Sequence, residues 1–361
     1  MSGSAVIMPA YDPDARYAQY VKQLISQGFS RIIIVEDCGA SENECLKELS
    51  CLPECDVLLP GEPYGKGLSL KRGLRHYLDA EYDKCYPGVV LTNGEAVQPP
   101  EDLVSLAKHL EESDGKSLIL GERRLTDEVP HSTKRGARIT KGFLKFLYTL
   151  KCDDPLTEIR AVPNAFVDEF TELKGKKFEY EMSILMRCGK KQYKVEKEPI
   201  TFSFCENGKS STRFRGFADT ARIYWRLFQN FLKFSASSLT TTLIDMILFQ
   251  VFLIFLKPSA DNYILLSTVL ARICSSMVNF LINRFIVFKS TEPILSTLLR
   301  FYCIVIPQMF ASAGLVTLLY RLLPFNELIF KMIVDTTLFF VVYRFQKFFV
   351  FRRRLPAENR R

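Results

Sequence analysis

Residues 89–103, VVLTNGEAVQPPEDL, contain the local pattern on which the fold assignment depends. The apolar residues VVL are typical of the end of a buried β-strand. The stretch QPPEDL is typical of a turn that opens a helix, because proline is favoured at the first helical position. The polar tripeptide Asn93-Gly94-Glu95 lies between them, where the strand ends. Open α/β sheets bind their ligands beyond the carboxyl ends of their strands, so this stretch predicts an α/β sheet with a ligand site at the tripeptide.

Strand-like runs recur through the first half of the chain and alternate with amphipathic helical patterns. Continuous apolar strands separated by helices predict a mostly parallel sheet that is covered on both faces. A further helical pattern at 178–192 and a strand pattern at 193–204 complete the series, so the first domain is expected to span residues 1–205. The earlier strand-like runs are 5–8, 31–36, 56–59, 88–91 and 117–121.

The charge of the chain is positive and unevenly distributed. There are 48 Lys and Arg residues against 40 Asp and Glu, which gives a formal net charge of +8. Much of the excess lies near the apolar segments and in the stretch RRRLPAENRR (352–361), where it suits anionic lipid headgroups. A nucleic-acid-binding protein would need a basic face with interleaved aromatic residues on a soluble domain, and the sequence shows none. We therefore expect a membrane partner and no nucleic acid.

The cysteines and the N-terminus bear on the cellular location. Ten cysteines are present, without a CxxC pair or a histidine at zinc-ligand spacing, so we interpret them as reduced thiols facing the cytosol. The N-terminal stretch MSGSAVIMPAY has no basic n-region, and its apolar run is of strand length. We expect no signal peptide.

Residues 206–234 are expected to form a juxtamembrane segment. Within 214–234, apolar residues recur every three or four positions, and most of the Arg and Lys side chains fall on the opposite helical face. A basic amphipathic helix of this kind commonly lies in the membrane interface. The alternative is a helix that packs on the soluble domain.

Four apolar stretches follow, and each is close to the roughly 20 residues needed to cross a bilayer. They predict a four-helix membrane domain over 235–352, followed by a basic tail at 353–361. The segment 284–300 and the tail carry more Lys and Arg than the short loops between the other spans, so the positive-inside rule places the soluble domain and both termini in the cytoplasm. A plasma membrane of the bacterial type is expected. The predicted spans are 235–256, 263–288, 301–320 and 329–351.

The second and fourth spans end in similar sequences. VNFLINRFIVFKS (278–290) and VVYRFQKFFVFRR (341–353) both contain a basic residue, two apolar or aromatic residues, Val-Phe and a further cation. The similarity predicts two helical hairpins related by pseudo-symmetry. The alternative is that both span ends meet the same cytoplasmic interface.

The order of these motifs resembles the family 2 glycosyltransferases, in particular the branch that charges a polyprenyl phosphate with one sugar. Dolichol-phosphate mannose synthase and the bactoprenol glucosyltransferases belong to this branch. YGKGLSLKRGL (64–74) is similar to the family's GKGxALxxG, and MPAYDPD (8–14) is similar to its PAYN loop. VNFLINRFIVF (278–288) resembles the GtrA-like membrane domain. The resemblance covers nearly the whole chain and implies a GT-A-type domain over 1–205 joined to a GtrA-like domain over 235–352.

The resemblance implies a nucleotide site at the carboxyl edge of the sheet. Asp37, in IIIVEDCGAS (32–41), is the candidate for hydrogen bonding the nucleobase, although Cys38 departs from the family's Asp-Asp-Gly-Ser. Lys66 can face a diphosphate, because it begins a helix whose amide groups favour anions. The implied nucleotide-binding residues are Pro9, Ala10, Tyr11, Asp12, Asp37, Lys66, Asn93 and Gly94.

Asn93-Gly94-Glu95 stands where the family has Asp-Ala-Asp, whose carboxylates hold Mg²⁺ or Mn²⁺ against the nucleotide diphosphate. Glu95 keeps the second carboxylate, whereas Asn93 keeps an oxygen ligand and loses a charge. Val97 replaces the family's Gln. The implied metal ligands are therefore Glu95 and Asn93, and we expect them to bind a divalent ion weakly.

Several cationic residues are candidates for contact with phosphate. GERR (121–124) matches the family's Gly-x-Arg. DPLTEIRAVP (154–163) stands in place of DTQTGLRAIP, and it keeps the Asp, Thr and Arg but loses the Gln and Gly. SSTRFRG (210–216) departs from the family's SSHFRP. For each single arginine, the alternative is a solvated surface charge. The implied catalytic residues are Glu95, Arg123 and Arg160, and the implied acceptor-phosphate ligands are Arg123, Lys134, Arg135 and Arg138.

The implied activity is transfer of a sugar from a nucleotide-sugar, expected to be UDP-linked, to a polyprenyl phosphate with inversion. Asn93, Val97 and the altered DPLTEIR favour the alternative of a catalytically impaired relative that binds nucleotide, lipid or a partner protein. Asp245, Arg272 and Asp335 motivate a translocation role for the membrane domain, because charges within spans often mark function. Bundles of this kind often associate, so a homo-oligomer is a further possibility.

Overall fold

The computed structural model describes residues 3–37, 43–59, 65–93, 98–123, 131–201, 216–256, 263–322 and 327–351. The chain divides into two compact units, Met1–Leu227 and Phe228–Arg361. Each unit is described by itself below.

Seven strands form one sheet in the first unit, in the order β3-β2-β1-β4-β6-β5-β7. The strands β1 to β4 are parallel to one another, and β5 is parallel to β7. β6 runs antiparallel to both of its neighbours, β4 and β5. The α/β class with a mostly parallel sheet is confirmed, and the sequence patterns missed the short β6. The strands are β1 (Ala5–Ala10), β2 (Ile32–Glu36), β3 (Cys55–Leu58), β4 (Gly88–Leu91), β5 (Ser117–Arg123), β6 (Arg160–Pro163) and β7 (Lys194–Ile200).

Helices cover this sheet and bury its central strands. Every residue of β1, β2 and β4 is buried, as expected for strands covered on both faces. The side chain of Asp14 caps the first helix by accepting hydrogen bonds from the backbone amides of Arg16 and Tyr17. The helices of the first unit are α1 (Ala15–Ser26), α2 (Glu44–Ser50), α3 (Lys66–Asp79), α4 (Pro100–Glu112), α5 (His131–Tyr148), α6 (Asn164–Thr171) and α7 (Glu179–Lys191).

The start of the next helix, α8 (Gly216–Leu256), packs on the first unit. The hydroxyl of Tyr148 donates to the carbonyl of Leu227 at 3.2 Å, and Arg226 Nε donates to Ser183 Oγ at 2.9 Å. The compact unit that contains the sheet runs to Leu227, and the expected end of the first domain at residue 205 stays a prediction. These contacts favour the packed alternative for this part of the juxtamembrane segment. Phe217 remains 91% exposed, and contact of the segment with a membrane stays a prediction.

The second unit is helical. Two stretches among the described residues are long and apolar enough to cross a membrane, Phe217–Leu256 and Val269–Val287. A shorter apolar helical stretch runs over Ile294–Gln308. The structure thus supports two of the four expected spans in length and composition, and the third and fourth stay predictions. The remaining helices are α9 (Tyr263–Ile282), α10 (Ile294–Leu322) and α11 (Glu327–Phe345).

The described parts of the two similar sequence stretches, 278–290 and 341–351, adopt the same local structure. Each ends in a five-residue π-helical turn, Asn283–Val287 after α9 and Gln346–Val350 after α11. The rings of Phe288 and Phe351, which directly follow the two turns, stack with centroids 5.1 Å apart. This correspondence supports an internal duplication of a helical hairpin.

A row of polar side chains joins α8 to α9 within the second unit. Ser275 Oγ donates to Asp245 Oδ1 at 2.7 Å, and Asn279 Nδ2 donates to Thr241 Oγ1 at 3.1 Å. Asn283 Nδ2 then donates to Asn279 Oδ1 at 2.7 Å. We call these five residues the polar seam. Such pairs fix the register of neighbouring helices where few other polar partners exist.

A glycine in α3 sets how closely this helix packs on the sheet. A Cβ added at Gly73 would lie 2.5 Å from Cγ2 of Ile7, a fully buried residue of β1. A β-branched side chain in a strand cannot easily turn away. By contrast, no atom of the described part of the chain would lie within 4 Å of a Cβ at Gly142 in α5.

We expect Gly73→Ala to lower the free energy of unfolding by about 1–3 kcal/mol, because the added methyl overpacks the helix–sheet interface. The control Gly142→Ala should raise it by up to about 1 kcal/mol through helix propensity alone. Thermal unfolding of the detergent-purified full chain, followed by fluorescence, measures both changes. Equal effects of the two substitutions would contradict the packing role of Gly73.

His109 on α4 contacts two glutamates of β7. Its Nδ1 lies 2.8 Å from Glu198 Oε2 and its Nε2 lies 3.2 Å from Glu196 Oε2. Both ring nitrogens donate only in the imidazolium form. Partial burial lowers the pKa of His109, but the hydrogen bonds to the two carboxylates outweigh it and raise this pKa above its ordinary value of 6.5.

A histidine whose pKa is raised by folding contributes stability below its ordinary pKa and loses this contribution as the pH rises through the raised value. We therefore expect His109→Gln to destabilise the protein more at pH about 5.5 than at pH about 8.5. Urea unfolding at the two pH values measures the difference. In a protein that already carries Glu196→Gln and Glu198→Gln, the further change His109→Gln should destabilise the protein equally at the two pH values.

Candidate functional site

The candidate site lies at the carboxyl edge of the sheet, where β1, β2 and β4 end. Pro9 and Ala10 are buried in β1 and pair with Val35 and Glu36 of β2, so they shape the edge through the backbone. Tyr11 is half-buried after β1, as is Asn93 after β4. The exposed Asp12 has a φ of +47°, a left-handed conformation that aspartate tolerates better than most residues. Gly94 and Glu95 lie outside the described residues, so their expected roles stay predictions.

Asp37 joins the end of β2 to the start of α3. Its backbone amide donates to the carbonyl of Ala10 at 2.9 Å. Its Oδ1 accepts a hydrogen bond from the amide of Gly65 at 2.5 Å, and the residue is only 4% exposed. The structure therefore gives Asp37 a positioning role at the base of the GKG motif. Its contact with a nucleobase stays a prediction.

The glycines of the GKG motif allow a close approach by the protein's own backbone. Gly65 has a φ of +90°, which a side chain would strain. A Cβ at Gly67 would lie 2.5 Å from the carbonyl oxygen of Lys177. The amide of Leu68 donates to the carbonyl of Lys176 at 3.1 Å. The first turn of α3 therefore packs directly on the segment that leads into α7.

Lys66 is buried between two glutamates. Its Nζ donates to Glu158 Oε2 and lies 3.1 Å from Glu181 Oε1. The side chains of Lys66 and Glu181 are 9% and 11% exposed, whereas that of Glu158 is 27% exposed. The amine also lies 5.5 Å from the centroid of the Phe178 ring. A buried ammonium needs such partners, because desolvation would otherwise remove its charge.

The expected phosphate ligand Arg123 pairs with an acidic residue. Its Nε and Nη2 donate to the two carboxylate oxygens of Asp154 at 2.5 and 3.1 Å. Asp154 is fully buried, and the two-pronged geometry is the strong form of this pair. These two hydrogen bonds fix the guanidinium group of Arg123 at the end of β5. Contact of this group with a ligand phosphate stays a prediction.

Arg160 is 1% exposed and donates hydrogen bonds to backbone carbonyls. Its Nη1 donates to the carbonyl of Glu181 at 3.1 Å, and its Nη2 donates to that of Thr157 at 2.6 Å. Its Nε is buried and has no hydrogen-bond partner among the described residues. Arg160 thus holds the loop before β6 against α7. This is a positioning role, and direct participation in catalysis stays a prediction.

Charges balance within this group of described residues, which we call the charge cluster. Burial lowers the pKa of Lys66, but the carboxylates of Glu158 and Glu181 outweigh burial and raise it. Burial raises the pKa of Glu158, but attraction to Lys66 outweighs this effect and lowers it. For Glu181, burial dominates and its pKa is raised. The charge cluster has three cationic and three acidic side chains, namely Lys66, Arg123, Arg160, Asp154, Glu158 and Glu181.

Sequence patterns missed two members of the charge cluster. Glu158 stands where the resembling motif has Gly, so the departure itself was the signal that could have identified it. Glu181 lies in the first turn of α7, where acidic residues are common, and nothing local marks it.

The expected acceptor-phosphate residues Lys134, Arg135 and Arg138 lie in the first two turns of α5. Arg135 and Arg138 are exposed, and Lys134 is half-buried. Residues 124–130, which connect Arg123 to this helix, lie outside the described residues. The three residues lie on one helix, α5, which follows in sequence after the strand that carries Arg123, and their binding role stays a prediction.

A metal would need ligands at the end of β4. Within the described parts of the chain, His, Cys, Asp and Glu form no group of three suited to a metal ion. Asn93 offers an amide oxygen at the expected place, which is a weak ligand for a hard cation. Glu95 would have to supply the carboxylate.

Solved structures similar to the first unit include glucosyl-3-phosphoglycerate synthase from Mycobacterium tuberculosis in complex with Mn²⁺, UDP and phosphoglyceric acid. This chain and that synthase are 16% identical in sequence, with a TM-score of 0.47. The match covers 63% of this chain and 78% of the synthase chain. Mannosyl-3-phosphoglycerate synthase from Rubrobacter xylanophilus is 13% identical with a TM-score of 0.44, over 63% of this chain and 72% of that one. These likenesses do not assign an activity to this chain. No curated protein matched the sequence significantly.

The second unit has a match at the level of a protein family. Residues 225–351 match the family model of the GtrA/DPMS transmembrane domain. The match includes both π-helical turns and the polar seam. The C-terminal part of this chain is therefore a GtrA/DPMS transmembrane domain, as its motifs predicted.

Proposed function

We propose that this protein is a membrane glycosyltransferase that transfers a sugar from a nucleotide-sugar, expected to be UDP-linked, to a polyprenyl phosphate with inversion. The observation that carries the proposal is the combination within one chain of two features. A GKG motif with a buried lysine begins α3 at the carboxyl edge of an α/β sheet, and a GtrA/DPMS transmembrane domain follows.

The chemistry needs few protein groups. A polyprenyl monophosphate is already an oxyanion, so no side chain has to remove a proton from it. The protein must align this oxyanion behind the sugar C1 and stabilise the departing nucleoside diphosphate. In the proposal, Lys66 and the first turn of α3 face the diphosphate, and Arg123 and the cations of α5 face the acceptor phosphate. A Mg²⁺ or Mn²⁺ ion held by Asn93 and Glu95 would supply further charge neutralisation.

A second candidate is a catalytically impaired relative that binds nucleotide, lipid or a partner protein. The charge cluster favours it, because Lys66, Arg123 and Arg160 are all engaged by groups of the protein itself. The replacement of a metal-binding aspartate by Asn93 points the same way. A nucleotide that binds without transfer of its sugar would distinguish this candidate from the enzyme.

A third candidate, additional to the first, is translocation of the lipid-linked sugar by the membrane domain. The polar seam favours it, because hydrogen-bonding groups along two apolar helices can contact a polar headgroup. Arg272 Nη1 lies 3.8 Å from Asp245 Oδ2, which adds a cation to one end of the seam. The other interpretation is that these groups only fix the packing of α8 on α9.

We expect UDP to bind the detergent-purified protein in a Mn²⁺-dependent manner, with about tenfold weaker binding in Glu95→Ala, because the variant loses the carboxylate that would hold the ion. Calorimetric titration with and without Mn²⁺ measures both effects. Glu48→Ala, which removes an exposed carboxylate of α2, is the matched control. Assays with a panel of UDP-sugars and a polyprenyl phosphate in detergent then test transfer.

UDP binding that depends on neither Mn²⁺ nor Glu95 would argue against a catalytic ion at this place. Absence of UDP binding in every variant would argue against the proposed function. Binding without transfer from any donor in the panel would favour the impaired relative.

The proposal requires the first unit to face the cytoplasm, where nucleotide-sugars are made. Cys51 and Cys85 are exposed in this unit and serve as natural labels. We expect a membrane-impermeant maleimide to label them only after the cells are permeabilised. A variant with Cys51→Ser and Cys85→Ser measures labelling at the other cysteines. Full labelling of Cys51 and Cys85 in intact cells would place the unit outside and contradict the proposal.

A further inference from the structure

Glu158 joins two motifs that the sequence treats separately. It lies in DPLTEIR (154–160), where the resembling motif DTQTGLR has glycine. Its carboxylate accepts a hydrogen bond from Nζ of Lys66 in the GKG motif. With glycine at this position, Glu181 would be the one of the two glutamates that still lies beside Lys66. The substitution therefore adds an anion at the side chain that is expected to face a diphosphate.

Glu158 lies at the ligand edge of the sheet. β4 and β6 are antiparallel, with Leu91 opposite Arg160. Asn93 is two residues after Leu91, and Glu158 is two residues before Arg160. Because the two strands are antiparallel, both residues lie just beyond the paired strands at the same edge of the sheet. Lys66 begins α3 at this edge as well. The carboxylate of Glu158 and the amine of Lys66 thus meet where open α/β sheets bind ligands.

The two glutamates around Lys66 differ in how firmly they are placed. Glu181 is 11% exposed and belongs to α7, whose first turn packs on α3. Glu158 is 27% exposed and precedes β6 in a stretch without regular structure. Of the two, Glu158 is the carboxylate that can leave Lys66 without disturbing a helix.

The charge balance explains why its departure matters. With Glu158 in place, the three cations of the charge cluster are matched by three carboxylates, and an incoming diphosphate meets no excess of positive charge. Like charges brought close together at a binding site cost binding free energy. Once the carboxylate of Glu158 withdraws, Lys66 can donate to a phosphate oxygen in its place.

We propose that Glu158 competes with the nucleotide diphosphate for Lys66. Glu158 binds the lysine in the nucleotide-free protein and thereby weakens nucleotide binding. This inference rests on the proposed function, because it takes the diphosphate to bind at the start of α3. It adds that the affinity of the site for a nucleoside diphosphate is set by a residue of this chain that the resembling motif lacks.

The test is the affinity of the full-length, detergent-purified protein for UDP at a fixed Mn²⁺ concentration. We expect Glu158→Gln to bind UDP about tenfold more tightly than the wild type, which corresponds to about 1.4 kcal/mol. The matched control is Glu172→Gln, which removes an exposed carboxylate that pairs with Arg75 and should leave the affinity unchanged.

A second pair of variants assigns the gain to Lys66. In the background Lys66→Gln, the further change Glu158→Gln should no longer tighten UDP binding, because the competed lysine is absent. Glu158→Gly, which restores the glycine of the resembling motif, serves as the second variant at this position. Melting temperatures would show whether each variant is folded, and we expect Glu181 to keep its pairing with Lys66 in both single Glu158 variants.

Wild-type binding of UDP that Glu158→Gln leaves unchanged or weakens would overturn this inference and leave the proposed function standing. An equal gain in the Lys66→Gln background would also overturn it, because the effect would not act through the lysine. Failure of both Glu158 variants to fold would show that the pair is structural and cannot open, which would likewise overturn the inference. Absence of UDP binding in the wild type and in both Glu158 variants would overturn the proposed function as well.

Discussion

The ammonium group of Lys66 is the constraint on which the site depends. It is buried at the first position of α3, where the positive end of the helix dipole adds to the cost of removing a cation from water. The protein meets this cost with carboxylates from two separate parts of the chain, the loop that carries Glu158 and the helix that carries Glu181. The pairing therefore ties α3, α7 and the start of β6 together at one edge of the sheet. Asp37 adds a fourth element by accepting a hydrogen bond from Gly65.

Glycines make this arrangement sterically possible. Gly67 lets the carbonyl of Lys177 approach the first turn of α3, and Gly73 lets the next turns lie against Ile7 of β1. In one helix, the first contact sets where Lys66 meets Glu181, and the second sets the depth of the helix on the sheet. The motif that resembles a nucleotide-binding loop is therefore also a packing motif. A substitution at either glycine would move the lysine as well as loosen the core.

The sequence predicted the features that local patterns encode. Apolar runs such as RIIIVE marked the central strands, and the GKG stretch marked the start of α3 at the ligand edge. Strand β6 escaped notice, because its four residues are held by pairing with β4 and β5 and carry no periodic signal of their own. The partners of Lys66 are 92 and 115 positions away along the chain, and only the tertiary fold brings them to it. The hydrogen bond from Arg160 to the carbonyl of Glu181 likewise depends on the tertiary fold, because the two residues are 21 positions apart.

The two units use polar groups inside apolar surroundings in different ways. In the charge cluster, acidic and basic side chains compensate one another, and we propose that a charged ligand exchanges with one of them. In the polar seam, most groups are neutral hydroxyls and amides, and the single carboxylate of Asp245 accepts a hydrogen bond from Ser275. Neutral hydrogen bonds between helices contribute about 1 kcal/mol each in a membrane and fix register without a strong field. An anionic phosphate would gain little binding free energy from such a seam. The hydroxyls of a sugar, by contrast, could replace the hydrogen bonds within the seam one for one. Under the proposed function, the charge cluster would suit a phosphate group and the polar seam would suit the hydroxyls of a sugar.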